Sequence, residues 1–272
     1  MPRPVIALLT DFGTADHYVG AMKGVLLGIC PEATLVDITH EIAPHDILGA
    51  ALELAAAYRA FPAGTVFLVV VDPGVGSARR GLAAVSAGYT FVAPDNGVLT
   101  AVVGDSPPTR VIALAERRYA RQVVSPTFEG RDRFAPAAAW LATGLDADAL
   151  GPPVTDFVRL AVPAPAVRAG HVAGEVLRID RFGNLVSNID RQAWARAVGP
   201  GRPDITVGDH RVGPLVDTYA EIGRSEIGAL FGSSDHLELA AREKSAAMLL
   251  DVRRGAAVVV RWVAKGTDPD GL

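Results

Sequence analysis

The stretch most able to do chemistry places a carboxylate, two glycines and two arginines directly after an apolar run. The run Val66–Val71 is typical of a buried strand in a parallel sheet, and Asp72 follows it at once. Ligands of such sheets bind where the strands end, so Asp72 and the nearby Arg79 are candidates for catalysis or for holding a polar substrate. Gly74 and Gly76 allow a sharp turn and a close approach of the backbone to a ligand. The alternative is a structural aspartate that caps the turn.

Two further carboxylates follow the first predicted strand. Asp11 comes directly after that strand, and Asp16 precedes the next helical pattern. A carboxylate can accept both hydroxyl protons of a ribose diol, and a pair of carboxylates can also hold a cation. The alternatives are structural, with Asp16 as the N-cap of the helix and Asp11 as a turn residue.

The turn that begins at Asp180 sets an aromatic ring and an amide beside a carboxylate. Phe182 could stack on a purine while Asn184 forms hydrogen bonds to its edge. The same residues suit an ordinary hairpin turn equally well.

Three charged residues stand around Gly130, where a helix is predicted to open. They are Glu129, Arg131 and Asp132. On the pattern alone, salt bridging at the protein surface is the favoured interpretation of these residues.

Missing motifs exclude several kinds of site. No Gly-x-Gly-x-x-Gly follows the first strand, although Asp37 lies about 20 residues beyond the first turn, as the ribose acid of a dinucleotide fold does. A nicotinamide or flavin site is therefore rejected, and the absence of a P-loop motif likewise rejects that class. The six histidines lack zinc-site spacing, and the one cysteine, Cys30, excludes an internal disulfide.

His40 and His45 flank an acidic loop that either lines a pocket or forms a simple polar connection.

Composition limits the partners. The 272 residues include 26 Lys plus Arg and 30 Asp plus Glu, which gives a net charge of −4. Because phosphate binding needs a basic face, nucleic acid is not expected as a partner.

No apolar run approaches the roughly 18 residues of a membrane-spanning helix, and no signal-peptide pattern precedes the first strand. We therefore expect a cytoplasmic protein that does not contact a membrane.

Strand and helix patterns alternate in the first half of the chain. This order predicts an α/β domain over residues 1–160, with a largely parallel sheet and helices on both faces. The predicted strands are Val5–Thr10, Thr34–Ile38, Val66–Val71 and Tyr89–Ala93. The predicted helices run from Asp16 to about Cys30, over Pro44–Phe61, over Val98–Val103, and from Asp132 or Arg133 through Trp140.

Short β-like runs separated by turn signals follow a proline-rich crossing near residue 150. They predict a smaller, mostly antiparallel β domain over residues 168–265. The runs are His171–Asp180, Leu185–Ile189, Asp204–Val207, Arg211–Val212, Ala229–Phe231, His236–Ala240 and Ala256–Val263. The tail Gly266–Leu272 is expected to be disordered.

Taken in order, these segments resemble the S-adenosyl-L-methionine (SAM) hydroxide adenosyltransferases, the adenosine-forming SAM hydrolases related to fluorinase and chlorinase. Each matching motif is short, but their shared order along nearly the whole chain is specific. The motifs are Leu9-Thr10-Asp11-Phe12-Gly13, Lys23-Gly24, Val36-Asp37-Ile38-Thr39-His40, Val71-Asp72-Pro73-Gly74-Val75-Gly76, Ala93-Pro94-Asp95-Asn96-Gly97, Thr127-Phe128-x-Gly130-Arg131-Asp132, Asp180-x-Phe182-Gly183-Asn184 and Gly232-Ser233-Ser234.

The resemblance implies an α/β domain followed by a β domain, in a homotrimer that binds SAM between neighbouring subunits. It also implies that water displaces methionine at the ribose C5′ carbon, with no metal and no organic cofactor. By position, Asp11 would hold the ribose diol with Asp16 nearby, and Asp180 would hold the methionine amino group. Phe182 and Asn184 would hold the adenine. The loop that contains Ser233 and Ser234 would help to close the site.

The catalytic positions match the family in part. The hydrolases are expected to activate water with an Asp, an Arg and a His, and Asp72 and Arg79 match the first two. Halogenase relatives lack that aspartate, so its presence favours hydroxide over halide. Glu129 stands where the family has the histidine, and a glutamate can pair with Arg79 but cannot donate a proton as imidazolium does. Two alternatives therefore stay open: a non-catalytic protein that binds SAM or adenosine, and a SAM-dependent halogenase.

Overall fold

The computed structural model describes residues 3–263, and these form two compact units that divide in the chain between Val162 and Pro163. The predicted disordered tail, Gly266–Leu272, lies outside the described residues, as do the last two residues of the predicted 168–265 domain. None of the helices in the described range has the length and apolarity that crossing a membrane requires.

The first unit is built around one sheet, to which six strands belong among the residues that the structure describes. The strands are β1 Val5–Thr10, β2 Thr34–Thr39, β3 Val66–Val70, β4 Gly81–Ser86, β5 Tyr89–Pro94 and β6 Arg110–Ala113. The α-helices are α1 Tyr18–Ile29, α2 Ile47–Ala57, α3 Thr100–Asp105 and α4 Ala135–Ala142. A π-helical turn, Gly130–Phe134, leads directly into α4.

The strand order of this sheet is β2-β1-β3-β5-β4-β6. β1 runs parallel to β2 and β3, and β3 runs parallel to β5, so the predicted largely parallel sheet is confirmed. β4 was not predicted, and it runs antiparallel to both of its neighbours. A two-residue turn with positive φ at Ala87 (51°) and Gly88 (81°) joins β4 to β5, which is the backbone geometry of a tight hairpin.

Helices cover both faces of the sheet, as the strand–helix alternation predicts. On one face Leu68 packs into a core with Met22 of α1 and with residues of α4. On the other face its neighbour Phe67 packs into a core with Leu54 of α2 and with residues of α3. All four named side chains are fully buried, and each such side chain contributes about 1.5–3 kcal/mol to folding. The rigid centre of the sheet therefore fixes where β1, β3 and β5 end.

The second unit is mainly antiparallel, which confirms that prediction. Its strands are β7 Ala166–Arg168, β8 His171–Ile179, β9 Leu185–Asp190, β10 Arg202–Val207, β11 His210–Val212, β12 Ile227–Phe231, β13 His236–Ala241 and β14 Ala257–Val263. Its helices, α5 Arg191–Ala197 and α6 Ala246–Leu250, were not predicted. The strands follow the order β11-β10-β14-β8-β9-β13-β12, with β7 beside β8. The Asp180 turn thus joins two neighbouring strands, β8 and β9, as a hairpin.

Candidate active site

Aspartates follow three neighbouring parallel strands at the same edge of the first sheet. Asp11 follows β1, Asp72 stands two residues beyond β3, and Asp95 follows β5. The carboxyl ends of parallel strands are where α/β proteins bind ligands. The sequence pattern did not single out Asp95 as a site residue, and its carboxylate accepts a hydrogen bond from Arg80 Nε at 2.8 Å.

Asp72 and Glu129 share one guanidinium. Arg79 Nη2 donates to Asp72 Oδ2 at 2.6 Å, and the same nitrogen donates to Glu129 Oε2. The Arg79 side chain is only 8% exposed, and its guanidinium lies 5.1 Å from the centre of the Phe134 ring. The structure therefore brings the three predicted catalytic positions into one buried cluster.

The turn after β3 returns Arg79 to Asp72. Gly76 adopts a φ of +78°, and a Cβ atom there would lie 2.6 Å from the Pro126 carbonyl oxygen. A side chain at this position would therefore be both strained and obstructed. Steric crowding and the positive φ therefore favour glycine at position 76, where the sequence pattern only suggested a sharp turn.

Asp72 sits in an environment that disfavours its charge. Burial raises the pKa of the Asp72 carboxyl above its usual value; Arg79 opposes the rise, and the charge on Glu129 adds to it. The backbone N–H of Gly74 also lowers the pKa, while the buried Oδ1 accepts no well-aligned hydrogen bond from the described residues. A carboxylate with a raised pKa and an unused acceptor atom is suited to hold a water molecule and take its proton.

The segment around Glu129 is buried, so the surface salt-bridge interpretation is wrong. Asp132 is fully buried and Glu129 is 8% exposed. Arg131 bonds Asp132 through Nε and Nη2, each at 2.7 Å, while Arg121 Nη1 and Ser125 N bond it at 2.9 Å. This network anchors the start of the π-helical turn and so fixes the position of Glu129.

The loop that carries Asp11 is tied to a network around His40. His40 Nδ1 lies 2.8 Å from Thr10 Oγ1, and the His40 carbonyl accepts a hydrogen bond from Gly13 N at 2.8 Å. Asp11 Oδ2 itself accepts from His45 N at 2.9 Å, so bonds on both sides of Asp11 and to its carboxylate hold it in place. The structure thus shows hydrogen bonds between the His40–His45 segment and the Asp11 loop, and both interpretations of this segment stay predictions.

Asp37 extends this network to the protein surface. It pairs with Lys23 Nζ at 2.6 Å and with His40 Nε2 at 3.0 Å. Burial alone would raise the pKa of Asp37, but hydrogen bonds and charge from Lys23 and His40 outweigh it and lower the pKa. Asp37 is thus an exposed partner of Lys23 and His40. The motifs that contain these residues gave no sign that the three side chains pair with one another.

Asp16 is an exposed residue in the loop before α1. The helix begins at Tyr18, its N-cap position is His17, and no side chain caps it. The interpretation of Asp16 as the N-cap is therefore wrong.

In the second unit, Asp180 organises its own turn. Its Oδ1 accepts from Phe182 N at 2.9 Å and from Asn184 N at 2.8 Å, and its Oδ2 accepts from Asn184 Nδ2 at 2.9 Å. Gly183 adopts a φ of +84° and packs on Ser245, which leaves no room for a Cβ atom. The turn presents Phe182 with 77% of its surface exposed, so its ring is available to a flat ligand.

The Gly232-Ser233-Ser234 loop lies against a buried acid that the sequence analysis missed. A Cβ atom on Gly232 would overlap the Glu238 carboxylate, and Glu238 Oε2 accepts from the Tyr219 hydroxyl at 2.6 Å. Burial, followed by the hydrogen bond to Glu238, raises the pKa of Tyr219. The alternation of polar and apolar residues along β13 gave no sign that this glutamate is buried.

Fold and cluster together define an α/β protein that holds two buried carboxylates and a shared guanidinium beside the carboxyl end of β3. Models of the SAM hydroxide adenosyltransferase N-terminal and C-terminal domains match residues 6–151 and 174–259. The chain therefore belongs to the SAM hydroxide adenosyltransferase family.

Individual relatives agree with this assignment. An (R)-S-adenosyl-L-methionine hydrolase of Thermus thermophilus is 39% identical over 94% of this chain and 98% of its own. A fluorinase of an Actinoplanes species is 30% identical over 95% of this chain and 97% of its own. The crystal structure of an uncharacterised conserved protein from Thermotoga maritima has a TM-score of 0.89, with 34% identity, and covers 94% of this chain and 99% of its own.

The Asp132 network generates a prediction about stability in acid. Burial alone would raise the pKa of Asp132, but the bonds from Arg131, Ser125 N and Arg121 outweigh it and lower the pKa to about 2. A carboxyl whose pKa is lowered on folding stabilises the protein at pH values above the pKa that the group has in the unfolded chain. This contribution is lost as the pH falls through the pKa that the group has in the folded protein. We therefore expect about 2 kcal/mol of stability from Asp132 at pH 7 that disappears between about pH 4 and pH 2.

Urea unfolding of the parent and of Asp132→Asn at a series of pH values measures this term. The two proteins should differ most above pH 5 and converge toward pH 2. Asp148→Asn is a matched control, because that side chain is 61% exposed and its ion pair is expected to contribute little. A constant difference across the whole pH range would contradict the prediction.

Proposed function

We propose that this protein hydrolyses SAM to adenosine and L-methionine, with water or hydroxide attacking the ribose C5′ carbon. Family membership and the names of its relatives support the reaction. In this chain, the observation that best supports the reaction is the buried cluster of Asp72, Arg79 and Glu129 at the carboxyl edge of the parallel sheet. The relatives named as hydrolases act on the (R) form of SAM, so we propose that sulfonium configuration for the substrate.

The reaction is a displacement in which a C5′–O bond forms and the C5′–S bond breaks. The electron pair of the broken bond goes to sulfur, so methionine leaves as a neutral thioether and no general acid is needed. The water loses one proton, which Asp72 is placed to accept through its unpartnered Oδ1. The main task of the site is to desolvate the water and align it opposite the sulfonium.

The remaining site residues are proposed to hold the substrate. Asp11, fixed by His45 N, binds the ribose diol, and Asp16 lies nearby in sequence. Phe182 stacks on the adenine. Asn184 forms hydrogen bonds to the adenine edge.

Asp180 and the serine loop are proposed to hold the methionine end. The Asp180 carboxylate accepts three hydrogen bonds within its own turn, and a carboxylate offers about four acceptor sites, so it can still bind an ammonium group. Ser233 and Ser234 would help to close the site. Buried Ser234 Oγ, which has no partner in the described structure, supports that role.

We propose that the protein assembles as a homotrimer with SAM bound between neighbouring subunits. The resemblance to the family is the basis of this proposal. The 77% exposure of Phe182 supports it, because a ring that stacks on adenine in a closed site needs cover from elsewhere.

A halide-using activity is the second candidate, because fluorinases are among the relatives. The carboxylate of Asp72 at the proposed nucleophile position argues for water, since an anion there repels a halide ion. The candidate predicts 5′-chloro-5′-deoxyadenosine when chloride is added.

Incubation with SAM, followed by chromatography, tests the function directly. We expect adenosine and methionine in equal amounts, unchanged by a chelator, and faster consumption of the (R) epimer than of the (S) epimer. The folded state and the mass of the assembly are verified in parallel. Unchanged SAM from folded protein would remove the enzyme proposal and leave a SAM-binding protein. A chlorinated nucleoside would favour the halide candidate, and dependence on a divalent ion would remove the metal-free mechanism.

Asp72→Ala and Arg79→Ala are each expected to lower kcat by about 10²–10⁴-fold, because water activation matters chiefly in the transition state. The Kd for SAM, measured by calorimetry, should change far less than kcat. Arg118→Met is a control, since that side chain is 68% exposed. A variant that keeps the parent kcat and only binds SAM more weakly would show that its residue has been assigned the wrong role.

Glu129→His is expected to raise kcat several-fold near neutral pH. Imidazole can both accept and donate a proton near pH 7, whereas an ionised carboxylate only accepts. Single-turnover rates at pH 7 compare the variant with the parent and with Glu129→Gln, which removes the charge and adds no titrating group. A Glu129→His variant no faster than the parent would contradict the expectation.

A further inference from the structure

A second arginine contacts Glu129 at the carboxylate oxygen that Arg79 does not hold. Arg133 lies on the π-helical turn four residues after Glu129, and its Nη2 is 3.2 Å from Glu129 Oε1. Arg79 holds the other carboxylate oxygen, Oε2. Glu129 is therefore held between two guanidinium groups, one at each oxygen.

This contact completes an alternating row of charges: Asp72, Arg79, Glu129 and Arg133. Without Arg133, two carboxylates would share the single charge of Arg79 in a buried site. A surplus negative charge there is costly, and it repels an approaching hydroxide. Guanidinium groups stay protonated at all relevant pH values, so Arg133 supplies a permanent positive charge.

The backbone geometry directs Arg133 toward this task. Its Nη1 donates to the Leu114 carbonyl oxygen at 3.3 Å, just beyond β6, which limits the movement of the guanidinium. The side chain is 34% exposed, so it reaches Glu129 from the rim of the cluster. π-Helical turns are rare and occur often at functional sites.

We propose that Arg133 is a positioning residue that balances and orients Glu129, so that the Glu129–Arg133 pair acts as one unit beside Asp72 and Arg79. The inference rests on the proposed function and adds to it a specific partner for the glutamate. Arg133 is assigned no contact with substrate; it acts through Glu129.

A double-mutant cycle separates this role from a purely structural one. The four proteins are the parent, Arg133→Met, Glu129→His and the double variant. In the parent, loss of the Arg133 charge should lower kcat at least about tenfold with little change in KM. With histidine at position 129 the same loss should change kcat by less than about twofold, because no surplus anion remains. The two substitutions should thus be coupled by about fivefold or more, as for residues in direct contact.

Two further variants sharpen the test. Arg133→Lys keeps the charge and should retain most of the parent kcat, whereas Arg133→Met should not. Arg118→Met makes the same change of net charge at the surface and should leave kcat unchanged. An equal loss of kcat on removing Arg133 with either residue at position 129 would mean that Arg133 only supports the fold, and would overturn the proposal.

Urea unfolding of the same four proteins measures the interaction between Arg133 and Glu129 without depending on enzyme activity. Coupling in the unfolding midpoints is expected, and its absence would overturn the proposal independently of turnover. A parent protein without turnover would contradict the proposed function instead, and the unfolding cycle would still decide the pairing of Arg133 with Glu129.

Discussion

The Arg79 guanidinium, shared between Asp72 and Glu129, is the interaction on which the rest of the site depends. It brings together two carboxylates that would otherwise repel each other in a buried place. A buried ion pair of this kind is weak evidence for stability, because removal of the charges from water offsets much of their attraction. Its value is positional: it fixes two acceptor groups at the end of β3 and leaves one Asp72 oxygen unpaired. The chemistry proposed for the protein uses that oxygen.

The fold supplies the fixed points for this interaction. Burial of both faces of β1, β3 and β5 sets their carboxyl ends side by side, and Asp11 and Asp72 follow two of those ends. Hydrogen bonds to Asp132 then hold the π-helical turn that carries Arg133 and directly follows Glu129. In the second unit, the Asp180 turn orders Phe182 and Asn184 by the same means, a carboxylate that accepts backbone N–H groups. In both units, therefore, a carboxylate that accepts backbone N–H groups orders a loop.

Sequence reasoning succeeded where periodicity and end signals were strong, and it failed where long-range contacts decide. Val66–Val71 identified β3 because a short, uninterrupted apolar run that ends in turn residues is typical of a buried strand, and the turn residues around Asp180 located the β8–β9 hairpin. β4 was missed because Gly81–Ser86 is rich in small residues with weak strand preference, and its pairing depends on β5 and β6. The local pattern assigned Glu129 to the surface because its partner Arg79 lies 50 residues earlier in the chain, whereas the family resemblance predicted this pairing and the structure confirms it. The roles of His40 and Glu238 were missed for the same reason.

Isotope labelling tests most directly the central claim that this cluster directs water to C5′. The protein is incubated with SAM in water enriched in oxygen-18, and the products are analysed by mass spectrometry. We predict adenosine with one heavy oxygen at the 5′ position, together with unlabelled methionine. Adenosine without the label, or label in an amino-acid product released beside methylthioadenosine, would mean that water does not attack C5′ and would contradict that claim.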